Sequence, residues 1–117
     1  MNQRDLTLLT DFYELTMMQG YYEKGQNEIV IFDVFYRQNP CNGGYAICAG
    51  LEQVIEYVKG LNFTYEDVDY LRSLGIFDEE FLHYLSGFHF SGDIYAIPEG
   101  SVIFPKEPLL KVVAPIM

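Results

Sequence analysis

The sequence predicts an α+β fold, and three observations carry that prediction. A strand-like run at Glu28–Arg37 is followed by helical segments, and the chain then changes to short β-rich runs after Gly92. The strict strand–helix alternation of a doubly wound sheet is missing. With 117 residues and 50% hydrophobic content, the expected organisation is one domain over residues 1–117.

Leu6 to Leu9 is a short apolar lead-in. Thr10 and Asp11 are N-cap residue types, and Glu14 stands three places after Asp11, as in a capping box. The spacing predicts a helix over Asp11–Tyr22, ended by Lys24-Gly25, with Phe12, Leu15, Met18 and Tyr22 on one buried stripe. Tyr13 falls off that stripe. Glu28–Arg37 (EIVIFDVFYR) is rich in β-branched and aromatic residues and reads as a strand, apolar on both faces except at Asp33. Gln38–Tyr45 (QNPCNGGY) reads as a loop in which Gly43 and Gly44 permit left-handed backbone.

Ile47–Lys59 reads as a second helix, with Leu51, Ile55 and Val58 on one face and Gly60 as its stop. Thr64 N-caps a third, with Asp67 at the reciprocal capping position and Gly75 at the end. Asp78 N-caps a fourth, carrying Phe81, Leu82 and Leu85 and closed by Gly87. GDIYAIPEG, SVIFP and EPLLKVVAPI then suggest a small antiparallel meander punctuated by Pro98-Glu99-Gly100 and Pro105.

The net charge of −10 argues against a broad basic face, and hence against nucleic acid as a partner. Eight carboxylates between Glu52 and Glu80 meet only Lys59 and Arg72, which reads as a solvated helical face; no His lies among them to suggest a metal centre. Cys41 and Cys48 form neither a redox C-x-x-C nor a zinc pattern. Acids interrupt the N-terminal apolar residues, so no signal peptide or membrane span is expected, and free thiols in a cytoplasmic protein are.

Few residues offer chemistry. There is no Walker loop and no G-x-S-x-G. Gly43-Gly44 lacks the Lys or Ser/Thr of a phosphate cradle and reads as a tight turn. His83 and His89 have no partner at ligand spacing and read as solvated or structural. Arg37, at the end of an apolar strand and the start of a Gly-rich loop, can offer its guanidinium fork to a phosphate. Tyr13, in the first helical turn, can stack on a flat ligand or a partner subunit. Asp11 is both its cap and a neighbouring acceptor.

Five strings then stand in a common order: TDFYELTMMQGY (Thr10–Tyr21), FDVFYRQNP (Phe32–Pro40), GGYAICAGLE (Gly43–Glu52), YLRSLG (Tyr70–Gly75) and GDIYAIPEG (Gly92–Gly100). Together they resemble the N-terminal region of the nicotinate phosphoribosyltransferase family, from about Leu6 to Ile116. The resemblance implies an N-terminal α+β domain of a type II phosphoribosyltransferase, with the family's α/β barrel absent from this chain. It implies an enzyme that joins nicotinate to 5-phosphoribosyl 1-pyrophosphate, giving nicotinate mononucleotide and pyrophosphate for NAD salvage. ATP hydrolysis and Mg²⁺ accompany that reaction in the full enzyme; neither is expected on this chain alone. The partner it implies is a second copy, in a head-to-tail homodimer with sites shared between subunits.

Three residues carry over as substrate-binding: Tyr13 matches the Tyr that stacks on the pyridine from the neighbouring subunit, Arg37 the Arg that ends the F-x-x-F-x-R strand, and Asp11 the acid beside the Tyr. No catalytic residue carries over, because the family's phosphorylated histidine lies beyond this chain and neither His83 nor His89 matches it. The chain is therefore expected to be an incomplete, inactive part of a longer enzyme. The alternatives are a piece of a nicotinamide phosphoribosyltransferase and a stand-alone acidic interaction module.

Overall fold

A computed structural model describes residues 5–117. Among the described residues are four α-helices, α1 (Phe12–Glu23), α2 (Leu51–Gly60), α3 (Tyr65–Ser73) and α4 (Glu79–Ser86). The strands are β1 (Ile29–Val34), β2 (Ala46–Ile47), β3 (Asp93–Ala96), β4 (Val102–Ile103) and β5 (Leu110–Pro115). None of these helices is long and apolar enough to cross a membrane. The described residues gather into two compact units, one of residues 5–27, 57–90 and 116–117, the other of residues 28–56 and 91–115.

The first unit is helical and holds the larger core. Leu15 of α1, Phe63, Val68 and Leu71 of α3, Phe77, and Phe81, Leu82 and Leu85 of α4 are buried together, with Met18, Tyr22, Tyr84 and Phe88 against them. Local chemistry starts α3 as expected: Asp67 N–H donates to Thr64 Oγ1 at 3.2 Å, and Thr64 N–H donates to Asp67 Oδ2 at 2.9 Å. Two helix-end donors are thereby satisfied inside one tetrapeptide.

The expected capping box at Asp11 does not form. Asp11 occupies the N-cap position of α1, but its side chain makes no capping bond, and only its carbonyl is engaged, by Glu14 N–H at 3.1 Å. Phe12 is half exposed, so the stripe of α1 is narrower than predicted. Asp78 likewise caps α4 by position alone; its N–H donates to Gln19 Oε1 at 2.8 Å, while Gln19 Nε2 donates to Ile76 O at 3.2 Å, a side-chain tie from α1.

The second unit is a sheet unit. β5 lies between β1 and β3, antiparallel to both, and β2 pairs antiparallel with β4. The predicted meander is therefore replaced: β4 leaves its sequence neighbours and pairs with residues before α2. The predicted second helix also starts late. Ala46–Ile47 is strand, and Gly50 at φ +107° turns the chain before α2 begins at Leu51. Gly92 has a different reason to be glycine, since a Cβ there would sit 2.4 Å from the Ala114 Cβ across the β3–β5 pair.

Strand alternation gives the three-stranded sheet two unlike faces. One carries Asp33, Lys111 and Tyr95 in register, so opposite charges face each other across β1 and β5. The other carries Val30, Phe32, Val34, Ile94, Ala96, Leu110, Val112 and Ala114 and is apolar throughout. The sequence suggested a strand apolar on both faces except at Asp33, and Ile31 and Phe32, on opposite faces, are 63% and 59% exposed.

Candidate functional site

Arg37 stands three residues past the end of β1, not at the strand end itself. Pairing continues as single bonds: Leu109 N–H donates to Val34 O at 2.8 Å and Lys106 N–H donates to Tyr36 O at 2.8 Å. The side chain of Tyr36 adds a third tie, its hydroxyl lying 2.9 Å from both Ile103 O in β4 and Asn39 Oδ1. A phenol has one proton, so it donates to one of these at a time. The residues on both sides of Arg37 are thus fastened, while Arg37 itself is exposed and has no ion pair among the described residues. Burial pushes the Tyr36 phenol above its ordinary value, and the Glu107 carboxylate adds to the shift. The hydroxyl therefore keeps its proton throughout the neutral range.

The loop after Arg37 differs from the sequence expectation. The left-handed positions are Cys41 (φ 54°) and Asn42 (φ 53°), whereas Gly43 is extended at φ −72°. Here the turn is set by Pro40, which starts a short 3-10 segment, Pro40–Asn42, closed by Gly43 N–H on Pro40 O at 3.0 Å. Both cysteines are free thiols, Cys41 exposed and Cys48 half-buried.

The N-terminus of α2 already holds an anionic group from this chain. Glu99 accepts from Gly50 N–H at 2.9 Å and from Leu51 N–H at 3.0 Å, one bond to each carboxylate oxygen. Its charge sits where the helix dipole favours it. Cys48 N–H to Ser101 O and Gly100 N–H to Cys48 O, both 2.8 Å, lock the same corner. Sequence reasoning read Pro98-Glu99-Gly100 only as a turn. A carboxylate between a Pro and a Gly was the available signal, but its target lies 49 residues away.

Tyr13 is in the first turn of α1, 58% exposed, with its carbonyl accepting from Thr16 Oγ1 at 2.9 Å. Its ring is uncovered, and the neighbouring Asp11 carboxylate is not consumed by capping. These two residues come together at one helix start in the helical unit; Arg37 belongs to the sheet unit. His83 and His89 are both exposed, as the sequence indicated. Arg72 is not a spare cation: it pairs with Asp69 and, at 2.7 Å, with Glu79. Among the described residues no group of three or more His, Cys, Asp or Glu side chains could hold a metal ion.

Tyr13, one of several exposed aromatic rings, and Arg37, exposed and without an ion pair among the described residues, are thus presented on the surface of an α+β chain of helices and small antiparallel sheets. The chain belongs to the family of nicotinate phosphoribosyltransferase N-terminal domains, whose model matches residues 8–117. It is 44% identical over 110 residues to the nicotinate phosphoribosyltransferase pncB2 of Mycobacterium tuberculosis, covering 94% of this chain and 24% of that protein. Nicotinate phosphoribosyltransferase 1 of Arabidopsis thaliana is 45% identical over 112 residues, covering 93% and 20%. The crystal structure of human nicotinic acid phosphoribosyltransferase superposes with a TM-score of 0.81 at 32% identity, over 92% of this chain and 22% of that one. The chain spans between a fifth and a quarter of the length of these relatives.

Proposed function

We propose that this chain is the N-terminal, substrate-contributing part of an enzyme that joins nicotinate to 5-phosphoribosyl 1-pyrophosphate. The observation that carries the reading is the exposed Arg37, free of any carboxylate among the described residues in a chain with a net charge of −10, on a segment fastened at Tyr36. In the reaction the pyridine nitrogen bonds to the ribosyl anomeric carbon as the bond to pyrophosphate breaks, and the departing group takes the electron pair. Arg37 binds phosphate oxygens through its guanidinium fork and offsets that negative charge. Tyr13 gives its ring face to the flat pyridine, and Asp11 supplies an acceptor beside it.

The substrate is nicotinate rather than nicotinamide, in line with the names of the relatives. Mg²⁺ and ATP coupling are assigned to the full protein, and no step here runs through them. The working unit is a homodimer in the cytoplasm, with Tyr13 reaching the site of the neighbouring subunit. The open apolar face of the β1–β5–β3 sheet is of the kind that further protein covers.

The test is product formation. The full-length protein containing this chain is expected to make nicotinate mononucleotide from nicotinate and 5-phosphoribosyl 1-pyrophosphate, and the 117-residue chain alone to make none. Turnover with nicotinamide only, or by the isolated chain, would contradict the reading.

A further inference from the structure

Tyr36 precedes Arg37 and is held by its carbonyl and by its hydroxyl, whose single proton goes to one of two acceptors at a time. Its hydroxyl reaches Ile103 O, the backbone of the one buried aliphatic residue of β4, and the Asn39 amide two residues beyond Arg37, both at 2.9 Å. Its carbonyl accepts from Lys106 N–H at 2.8 Å. Lys106 makes that bond from φ +65°, a left-handed conformation that disfavours a residue with a Cβ. Strain is therefore retained at the very residue that fastens Tyr36.

Tyr36 is thereby tied through both its backbone and its side chain. The β1–β5 ladder already ends at Val34, and the chain could leave the sheet there. Instead the chain is tied again at Tyr36, two residues on, and Arg37, with no ion pair among the described residues, follows it directly. An arginine has four rotatable side-chain bonds, so binding an anion costs less when its backbone is preset.

We infer that Tyr36 is a positioning residue: its hydroxyl, donating to Ile103 O of β4 or to Asn39 Oδ1, sets the backbone from which Arg37 engages the phosphate groups of the phosphoribosyl substrate. The inference rests on the proposed role of Arg37. It assigns the phenol no contact with substrate and no proton transfer.

The experiment is steady-state kinetics of the full-length protein carrying Tyr36→Phe, Arg37→Ala or both. Tyr36→Phe keeps the ring and removes only the hydroxyl. It is expected to raise KM for 5-phosphoribosyl 1-pyrophosphate roughly two- to tenfold, the worth of one net hydrogen bond. KM for nicotinate should stay unchanged, and the melting temperature should fall by no more than a few degrees, the worth of one net hydrogen bond. In the double variant the Tyr36→Phe effect should vanish, because a positioning residue has nothing left to position. An unchanged phosphoribosyl KM in Tyr36→Phe, beside a raised one in Arg37→Ala, would overturn the inference and leave the function reading intact. So would a fall in kcat and melting temperature with no selective change in KM, since that marks a purely structural tie. An unchanged kcat/KM for 5-phosphoribosyl 1-pyrophosphate in Arg37→Ala would overturn the reading of Arg37, and the role of Tyr36 with it.

Discussion

Replacing Arg37 by Ala lowers kcat/KM of the full-length protein for 5-phosphoribosyl 1-pyrophosphate by roughly 100-fold, the usual consequence of deleting one preset donor to developing charge. The protein should remain folded. Arg37 is exposed and makes no ion pair among the described residues, so its truncation removes no internal contact and leaves stability within about 0.5 kcal/mol. Arg37→Lys should recover only part of the rate, because an ammonium provides charge without the two-pronged geometry. An Arg37→Ala enzyme with wild-type kcat/KM would show that the guanidinium is an ordinary surface charge.

The largest loss of stability is expected from Phe81→Ala. Phe81 is fully buried in α4, with its ring centroid 5.8 Å from Phe77, 5.9 Å from Tyr22 and 6.4 Å from Tyr84. Removing the ring leaves a cavity among side chains from α1 and α4, and such truncations cost about 3–5 kcal/mol. That is a large share of the roughly 5–15 kcal/mol that holds a domain together. Chemical denaturation of the 117-residue chain reads the effect, with Phe81→Leu as the milder companion that keeps most of the volume. A loss below about 1 kcal/mol in Phe81→Ala would mean that the aromatic cluster is not the core of this unit.

The two residues also show what was legible in the sequence. Phe81, Leu82 and Leu85 were read as the apolar side of α4, and all three are fully buried. The Thr64–Asp67 box was readable because both partners lie within one turn. At Asp11 the same pattern failed, since residue types permit a capping bond without enforcing it. The longer-range features were hidden. Nothing near Ala46–Ile47 announces that their partners are Val102–Ile103, and this pairing displaced four residues from the predicted helix. The meander was misjudged for the same reason, because β4 spends its hydrogen bonds on β2. The Gly43-Gly44 pair drew attention to the wrong positions, the left-handed backbone falling on Cys41 and Asn42.

For the candidate site, Tyr13 was singled out by its position off the helical stripe, and its ring is indeed exposed. Arg37 was placed at a strand end; the structure moves it beyond the ladder, onto backbone held by Tyr36. Tyr36 itself was invisible, one more aromatic in an apolar run. Its role depends on Ile103, 67 residues away. Glu99 was hidden in the same manner by its distance from α2.

The central claim is that this domain lends its own side chains to the nicotinate site. The most direct measurement is KM for nicotinate in the full-length protein carrying Tyr13→Ala or Tyr13→Phe. Stacking requires the ring and not the hydroxyl, so Ala should raise that KM about tenfold while Phe stays near wild type. The KM for 5-phosphoribosyl 1-pyrophosphate should be little changed in both. A nicotinate KM that Tyr13→Ala leaves unaltered would contradict the account.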